Sequence, residues 1–109
     1  YNKEFSAVKE IISSGEINCF HLLQNSPNPF NPQTSISFEV PYNSNVTVIV
    51  YNTLGRRIKQ LLKGSVFAAL HTLTWDGTDE SGRRVTSGIY LVRLRSDSFA
   101  EVRKMCLMR

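Results

Sequence analysis

The pattern of hydrophobic and polar positions divides the chain near residue 20. Before this point, apolar residues recur at helical spacing, as Phe5, Val8 and Ile12 do. Further along, the spacing changes to two, because short runs of β-branched and aromatic residues alternate with polar positions. We therefore predict an N-terminal arm or linker over residues 1–19 and a single domain over residues 20–109.

The period of two predicts seven short strands, at about residues 20–24, 34–40, 46–52, 58–63, 70–75, 89–96 and 99–108. In the second of them Ile36, Phe38 and Val40 fall on one face and polar residues on the other, as in a half-buried strand. Asn, Asp and Gly residues at turn positions separate the strands. The predicted fold is all-β, an immunoglobulin-like antiparallel β-sandwich of about seven strands with an N-terminal arm.

Composition and charge narrow the function classes. The chain has 109 residues with 41% hydrophobic and 20% charged residues, as expected for one globular domain, and no apolar run approaches the roughly 20 residues of a membrane span. The formal charge is +4, divided into −2 over residues 1–55 and +6 over residues 56–109. The basic residues occur in scattered pairs without interleaved aromatic residues, so we do not expect nucleic acid binding.

Groups for catalysis or metal binding are few. Cys19 and Cys106 lack the close Cys and His partners of a zinc site, and a bridge between them or two unpaired thiols are both open. Only two histidines are present, without a converging nucleophile and acid, so we predict no catalytic residues.

One acidic run could bind calcium. Asp76, Asp79 and Glu80 place three carboxylates within five residues, but two successive tight turns would use the same residues. We predict no metal site and no cofactor.

The segment Pro27–Pro32 is unusual because its three prolines fix φ, remove amide donors and keep the preceding residues out of helix. It is expected to be stiff and extended. It is either a rigid connection whose Phe30 fills one end of the sandwich, or a preformed surface that a partner binds without an ordering cost.

Motifs in order along the chain resemble a known family. They are Leu23–Pro32 followed by Thr34, Ile36 and Phe38, then Val50–Asn52 with Leu54–Gly55, His71, Trp75–Gly77, Ser87–Tyr90 with Arg93–Leu94, and Lys104–Arg109. From about residue 20 to its end, the chain resembles the type A C-terminal sorting domains of the bacterial type IX secretion system. The same pattern is similar to the related immunoglobulin-like module of flagellar hook-capping proteins.

The resemblance implies a non-catalytic sorting or anchoring domain and not an enzyme. Such a domain directs an exported protein through an outer-membrane translocon, so the chain is expected to be secreted or at the cell surface of a diderm bacterium. By the same resemblance, the residues that the translocon recognises are Pro27, Asn28, Pro29, Phe30, Asn31, Pro32, Gly88, Tyr90, Lys104 and Arg109.

The short arm leaves an alternative function open. Family members usually carry a larger domain ahead of this module, and position 1 is Tyr, so the chain is either an excised fragment or itself the mature product. In the second case the apolar arm residues would add a strand to a neighbouring sandwich and build an extracellular filament. The arm residues in question are Phe5, Val8, Ile11 and Ile12. The expected partners are thus proteins, either the translocon or copies of the chain itself.

Overall fold

The computed structural model describes residues 17–109, and the described part of the chain contains seven strands and no helix. The strands are β1 His21–Leu22, β2 Thr34–Val40, β3 Ser44–Asn52, β4 Arg57–Val66, β5 Ala69–Trp75, β6 Gly88–Arg95 and β7 Ala100–Leu107. They form two antiparallel sheets, one with the order β1-β2-β5 and the other with the order β4-β3-β6-β7. The all-β immunoglobulin-like sandwich predicted from the sequence is therefore confirmed.

The core lies between the two sheets and is made by the inward positions of each strand. In β2 and β3 every second residue is buried, as the alternation predicts. Trp75, the last residue of β5, is fully buried, with its ring centroid 5.6 Å from that of Phe30 and 5.3 Å from that of Tyr90. Its indole N–H donates to the Thr78 carbonyl at 2.9 Å, so its one polar group is satisfied.

The two cysteines and the apolar arm residues lie outside the core described above or outside the described residues. Cys19 is exposed, Cys106 is partly buried, and both are free thiols, so the unpaired alternative is the one observed. The four apolar arm residues, Phe5, Val8, Ile11 and Ile12, lie outside the described residues, and their role in assembly stays a prediction. Within residues 17–109 no helix is long and apolar enough to cross a membrane.

Candidate functional site

The segment Pro27–Pro32 runs along the outer edge of β7. The Phe30 N–H donates to the Cys106 carbonyl at 3.0 Å, and the Phe30 carbonyl accepts from the Met108 N–H at 3.0 Å, which makes a short parallel bridge. The Asn28 Oδ1 also accepts from the Cys106 N–H at 2.9 Å. Because proline has no N–H, the segment bonds to β7 through the residues between its prolines. This part of the edge of β7 is therefore covered.

Within the segment, one residue points inward and five remain accessible. The Phe30 side chain is 2% exposed and packs on Trp75, as in the first of the two alternatives, so this side chain is not accessible to a partner although Phe30 was expected among the recognised residues. The other five residues are exposed: Pro27, Asn28, Pro29, Asn31 and Pro32. Phe30 therefore anchors the segment, and its neighbours form the surface that a partner could contact.

Two buried polar residues that the sequence analysis missed hold the start of this segment. The Asn25 Nδ2 donates to the Thr34 Oγ1 at 2.9 Å and to the Pro27 carbonyl at 3.1 Å. The Thr34 hydroxyl donates to the same carbonyl at 2.8 Å. Both side chains are almost completely buried, and buried polar groups of this kind stabilise one conformation when all of them are paired. The sequence signal for this pair was an Asn and a Thr on either side of the proline segment.

Arg109 fastens the C-terminus to the loop that precedes β6. Its backbone N–H donates to the Ser87 Oγ at 2.9 Å, and its guanidinium donates to the Val85 carbonyl at 2.7 Å and the Gly77 carbonyl at 2.6 Å. Gly77, which the sequence analysis did not select, has φ of +75°, and a Cβ there would lie 2.8 Å from the Arg109 Nη2 and 3.2 Å from the Pro32 carbonyl oxygen. The close approach therefore requires glycine.

We call this region the C-terminal junction: Pro27–Pro32, Gly77 and Leu107–Arg109. A cleft opens beside it and is lined by Asn31, Pro32, Asp76, Arg84 and Arg109. The cleft combines two guanidinium groups, one carboxylate and an amide, which suits a polar peptide more than an apolar one.

The remaining predicted recognition residues are placed differently. Gly88 pairs with Leu107 and so lies next to the C-terminal junction. Tyr90 is only 6% exposed and its hydroxyl donates to the Thr86 carbonyl at 2.7 Å, so its contacts are internal. Lys104 is exposed and pairs with Leu91. It precedes Leu107 by three residues in β7 and so lies about 10 Å from the C-terminal junction along the strand.

The acidic run after Trp75 serves its own turns. The Asp76 Oδ1 accepts from both the hydroxyl and the N–H of Thr78, and the hydroxyl bond is the main reason that the pKa of Asp76 is lowered. The Asp79 Oδ1 accepts from the Ser81 N–H, and the Glu80 Oε2 accepts a backbone N–H of β4. Over residues 17–109, no three His, Cys, Asp or Glu side chains are grouped to hold a metal ion.

The strand order and the inward-facing core define an immunoglobulin-like domain, and comparison with protein families gives a specific match. The family model described as the FlgD Ig-like domain matches residues 25–98, more than half of the chain. The chain therefore belongs to the FlgD Ig-like domain family. Comparison with curated proteins gives no match.

Several solved structures share the fold. The crystal structure of dimeric latent PorU from Porphyromonas gingivalis aligns with a TM-score of 0.69 and 22% identity, over 84% of this chain and 10% of that one. PorZ from the same organism is an essential bacterial surface component of the type IX secretion system. It aligns with a TM-score of 0.55 and 19% identity, over 86% of this chain and 12% of that one. FlgD from P. aeruginosa aligns with a TM-score of 0.58 and 21% identity, over 86% of this chain and 74% of that one. The chain thus spans about a tenth of PorU and PorZ, and these likenesses establish the fold.

Proposed function

We propose that the chain is a non-catalytic C-terminal sorting domain that directs an exported bacterial protein through the type IX secretion translocon to the cell surface. Its ordered motifs resemble that class of domain. The fold it shares with a domain-sized part of PorU and of PorZ supports the proposal, since PorZ is a surface component of that secretion system.

The observation that carries the proposal is the C-terminal junction. The exposed residues of Pro27–Pro32 lie beside Arg109, although 77 positions separate Pro32 from Arg109 in the sequence. Prolines lose little conformational freedom on binding, and the buried pair Asn25 and Thr34 fixes the start of the segment. A translocon component that binds here meets a surface already in its bound shape.

The electrostatics of the junction indicate how such a component is recognised. Arg84 and Arg109 line the cleft with a single carboxylate, that of Asp76, so the cleft favours an acidic or amide-rich segment. The Arg109 guanidinium is held by two carbonyl groups, which fixes its plane before binding. Recognition therefore depends on an arginine side chain that the fold itself positions.

A secretion assay tests the proposal. The complete 109-residue chain is fused to the C-terminus of an exported reporter and expressed in a bacterium with a type IX system and in an isogenic strain lacking the translocon. We expect reporter at the cell surface of the first strain and in the periplasm of the second. Equal surface delivery in both strains, or periplasmic retention of a folded fusion in the first, would contradict the proposal.

Variants separate recognition from folding. Arg109→Ala and Asn31→Ala are expected to reduce surface delivery, and Asn31 is exposed, so its replacement should leave the thermal unfolding temperature unchanged. Arg83→Ala is the matched control, because the Arg83 side chain is 82% exposed and does not line the cleft. If Arg83→Ala and Asn31→Ala reduce delivery equally, the junction is not the recognised surface.

A further inference from the structure

The outer face of the four-stranded sheet has an unusual composition. Val48, Val50 and Val92 point into the core and are fully buried, so the residues between them point outward. Nine of the outward residues are Thr47, Ile49, Tyr51, Lys63, Leu91, Arg93, Arg95, Val102 and Lys104. We call this set the outer basic face.

Strand register brings the cations of this face together. The paired rows across the sheet are Lys63–Thr47–Arg95–Ala100, Gln60–Ile49–Arg93–Val102 and Arg57–Tyr51–Leu91–Lys104. Since neighbouring strands lie about 4.8 Å apart, Lys63 and Arg95 stand roughly 10 Å from each other on either side of Thr47. Cations from three different strands therefore form one surface with aliphatic residues between them.

Acidic residues of the described chain compensate this charge only in part, since Asp97 lines a cleft together with Lys63 and Arg95. The Glu101 carboxylate turns to the edge and accepts from the Leu22 N–H, and the Glu80 carboxylate pairs with Arg57. The other described acids lie on the opposite sheet, in turns or in the loop after β6: Glu39, Asp76, Asp79 and Asp97. Among residues 17–109, the ion pairs involve none of the four cations Lys63, Arg93, Arg95 and Lys104.

Arg93 lies at the centre of the face, where it contacts the Tyr51 ring but leaves one hydrogen-bond donor without an acceptor. Its guanidinium lies 5.0 Å from the centroid of the Tyr51 ring, a cation–π arrangement. Its Nε is buried and has no hydrogen-bond partner among the described residues. Ile49 beside it is only 8% exposed although it points outward. The centre of the face is therefore already partly desolvated, which lowers the cost of covering it.

The composition favours a protein partner over a nucleic acid. Arginine and tyrosine are enriched at the energetic centres of protein interfaces, and the aliphatic residues Ile49, Leu91 and Val102 supply apolar area between the cations. Bases would need free aromatic rings to stack on, whereas Arg93 covers the Tyr51 ring. The face is about 13 Å long at roughly 3.3 Å per residue, the span of an extended segment of about five residues.

We propose that the outer basic face binds an acidic segment of a partner protein, in which carboxylates alternate with apolar side chains. The carboxylates pair with Arg93, Arg95, Lys63 and Lys104, and the apolar side chains pack on Ile49, Leu91 and Val102. This surface is distinct from the C-terminal junction, and the proposal holds whether or not the chain is a sorting domain.

Peptide selection tests it with a defined probe. Random 12-residue peptides displayed on phage are selected on the full chain and counter-selected on the double variant Arg93→Glu with Arg95→Glu. The recovered peptides should be enriched in Asp and Glu interleaved with apolar residues. By fluorescence anisotropy, the synthetic form of the most enriched peptide should bind the double variant at least tenfold more weakly than the wild type.

Controls separate the face from net charge and from folding. Arg56→Glu with Arg83→Glu makes the same charge change at two exposed turn residues outside both surfaces, and the peptide should bind that variant within about threefold of wild type. Arg95→Glu with Lys104→Glu keeps the Arg93 contact to Tyr51 and should also weaken binding at least tenfold. Circular dichroism spectra of the variants are compared with that of the wild type to check that each variant folds.

Other ligand classes are tested in the same assay with a random-sequence DNA duplex, heparin and phosphatidylglycerol vesicles. Tighter binding of any of these at the outer basic face than of the acidic peptide would overturn the proposal. Recovered peptides that are not enriched in Asp and Glu would also overturn it. An equal loss of peptide affinity in the face variants and in the turn control would do the same. The assay uses no translocon, so its failure is independent of the sorting function.

Discussion

Replacement of Gly77 by alanine tests the contacts that hold the C-terminus at the junction. Gly77 has φ of +75°, and a side chain in the left-handed region costs about 1–2 kcal/mol. The new Cβ would also lie 2.8 Å from the Arg109 Nη2. The guanidinium ends a flexible side chain and can move away, but it then loses its 2.6 Å hydrogen bond to the Gly77 carbonyl.

The magnitude follows from these two contributions. A hydrogen bond from a charged donor contributes about 1.5–3 kcal/mol, and the exposure of Arg109 places it at the lower end. Together with the backbone cost, Gly77→Ala should lower the free energy of unfolding by about 2–4 kcal/mol. Gly82→Ala is the matched control, because Gly82 has φ of +83° but no atom within 4 Å of an added Cβ. Gly82→Ala should lower the free energy of unfolding only by the backbone cost of about 1–2 kcal/mol.

Urea unfolding of the full chain measures the difference. Trp75 is the only tryptophan and is fully buried, so its fluorescence reports the loss of the core. The excess cost of Gly77→Ala over Gly82→Ala should shrink when Arg109→Ala is present, because the conflicting group is gone. Equal costs for the two glycine variants, or an excess that Arg109→Ala leaves unchanged, would refute the reasoning.

Three further predictions concern other parts of the domain. Phe30→Ala should lower the free energy of unfolding by about 3–5 kcal/mol in the same urea assay, because a buried ring is lost, whereas exposed Pro29→Ala should change it little. Glu101→Ala leaves the buried Leu22 N–H without its acceptor and should cost about 1–3 kcal/mol in thermal unfolding; no loss would contradict this. The pKa of Asp76 is lowered from 3.8, so its contribution to stability is present above that value and is lost as the pH falls through the folded pKa. Asp76→Asn should therefore flatten the acid limb of a urea midpoint plotted against pH, and an unchanged limb would show that Thr78 does not stabilise the ionised carboxylate.

Much of the fold could be predicted because hydrophobic alternation records which face of a strand is buried. The predicted bounds of β2 agree with the observed strand Thr34–Val40, where the alternation is unbroken. In β4 the prediction of residues 58–63 is too short against the observed Arg57–Val66. The pairing register of β3 with β4 shifts twice, after Val48 and after Val50, so apolar residues in β4 do not keep a period of two.

The site was less predictable because its contacts join distant residues. Phe30 was expected either to fill one end of the sandwich or to belong to the recognised surface, and its side chain is buried. The Arg109 bond to Gly77 spans 32 positions, and nothing in the local sequence of either residue indicates it. Tyr90, expected as a recognition residue, lies inside because its position in β6 is inward. Polar contacts of this kind depend on strand register, which the sequence pattern does not specify.

The same limitation explains why the outer basic face is invisible in the linear sequence. Arg93 and Arg95 occupy alternate positions of β6 and so share a face, but a pair of cations is unremarkable in itself. Lys63 and Lys104 join them only because β4 and β7 stand at the two edges of the sheet whose inner strands are β3 and β6. Scattered basic pairs in a β-sandwich are therefore better assessed by strand register than by runs of charge. The two proposals therefore rest on separate surfaces, a polar cleft beside Arg109 and a basic face on the larger sheet, and substitutions in one surface should leave the other intact.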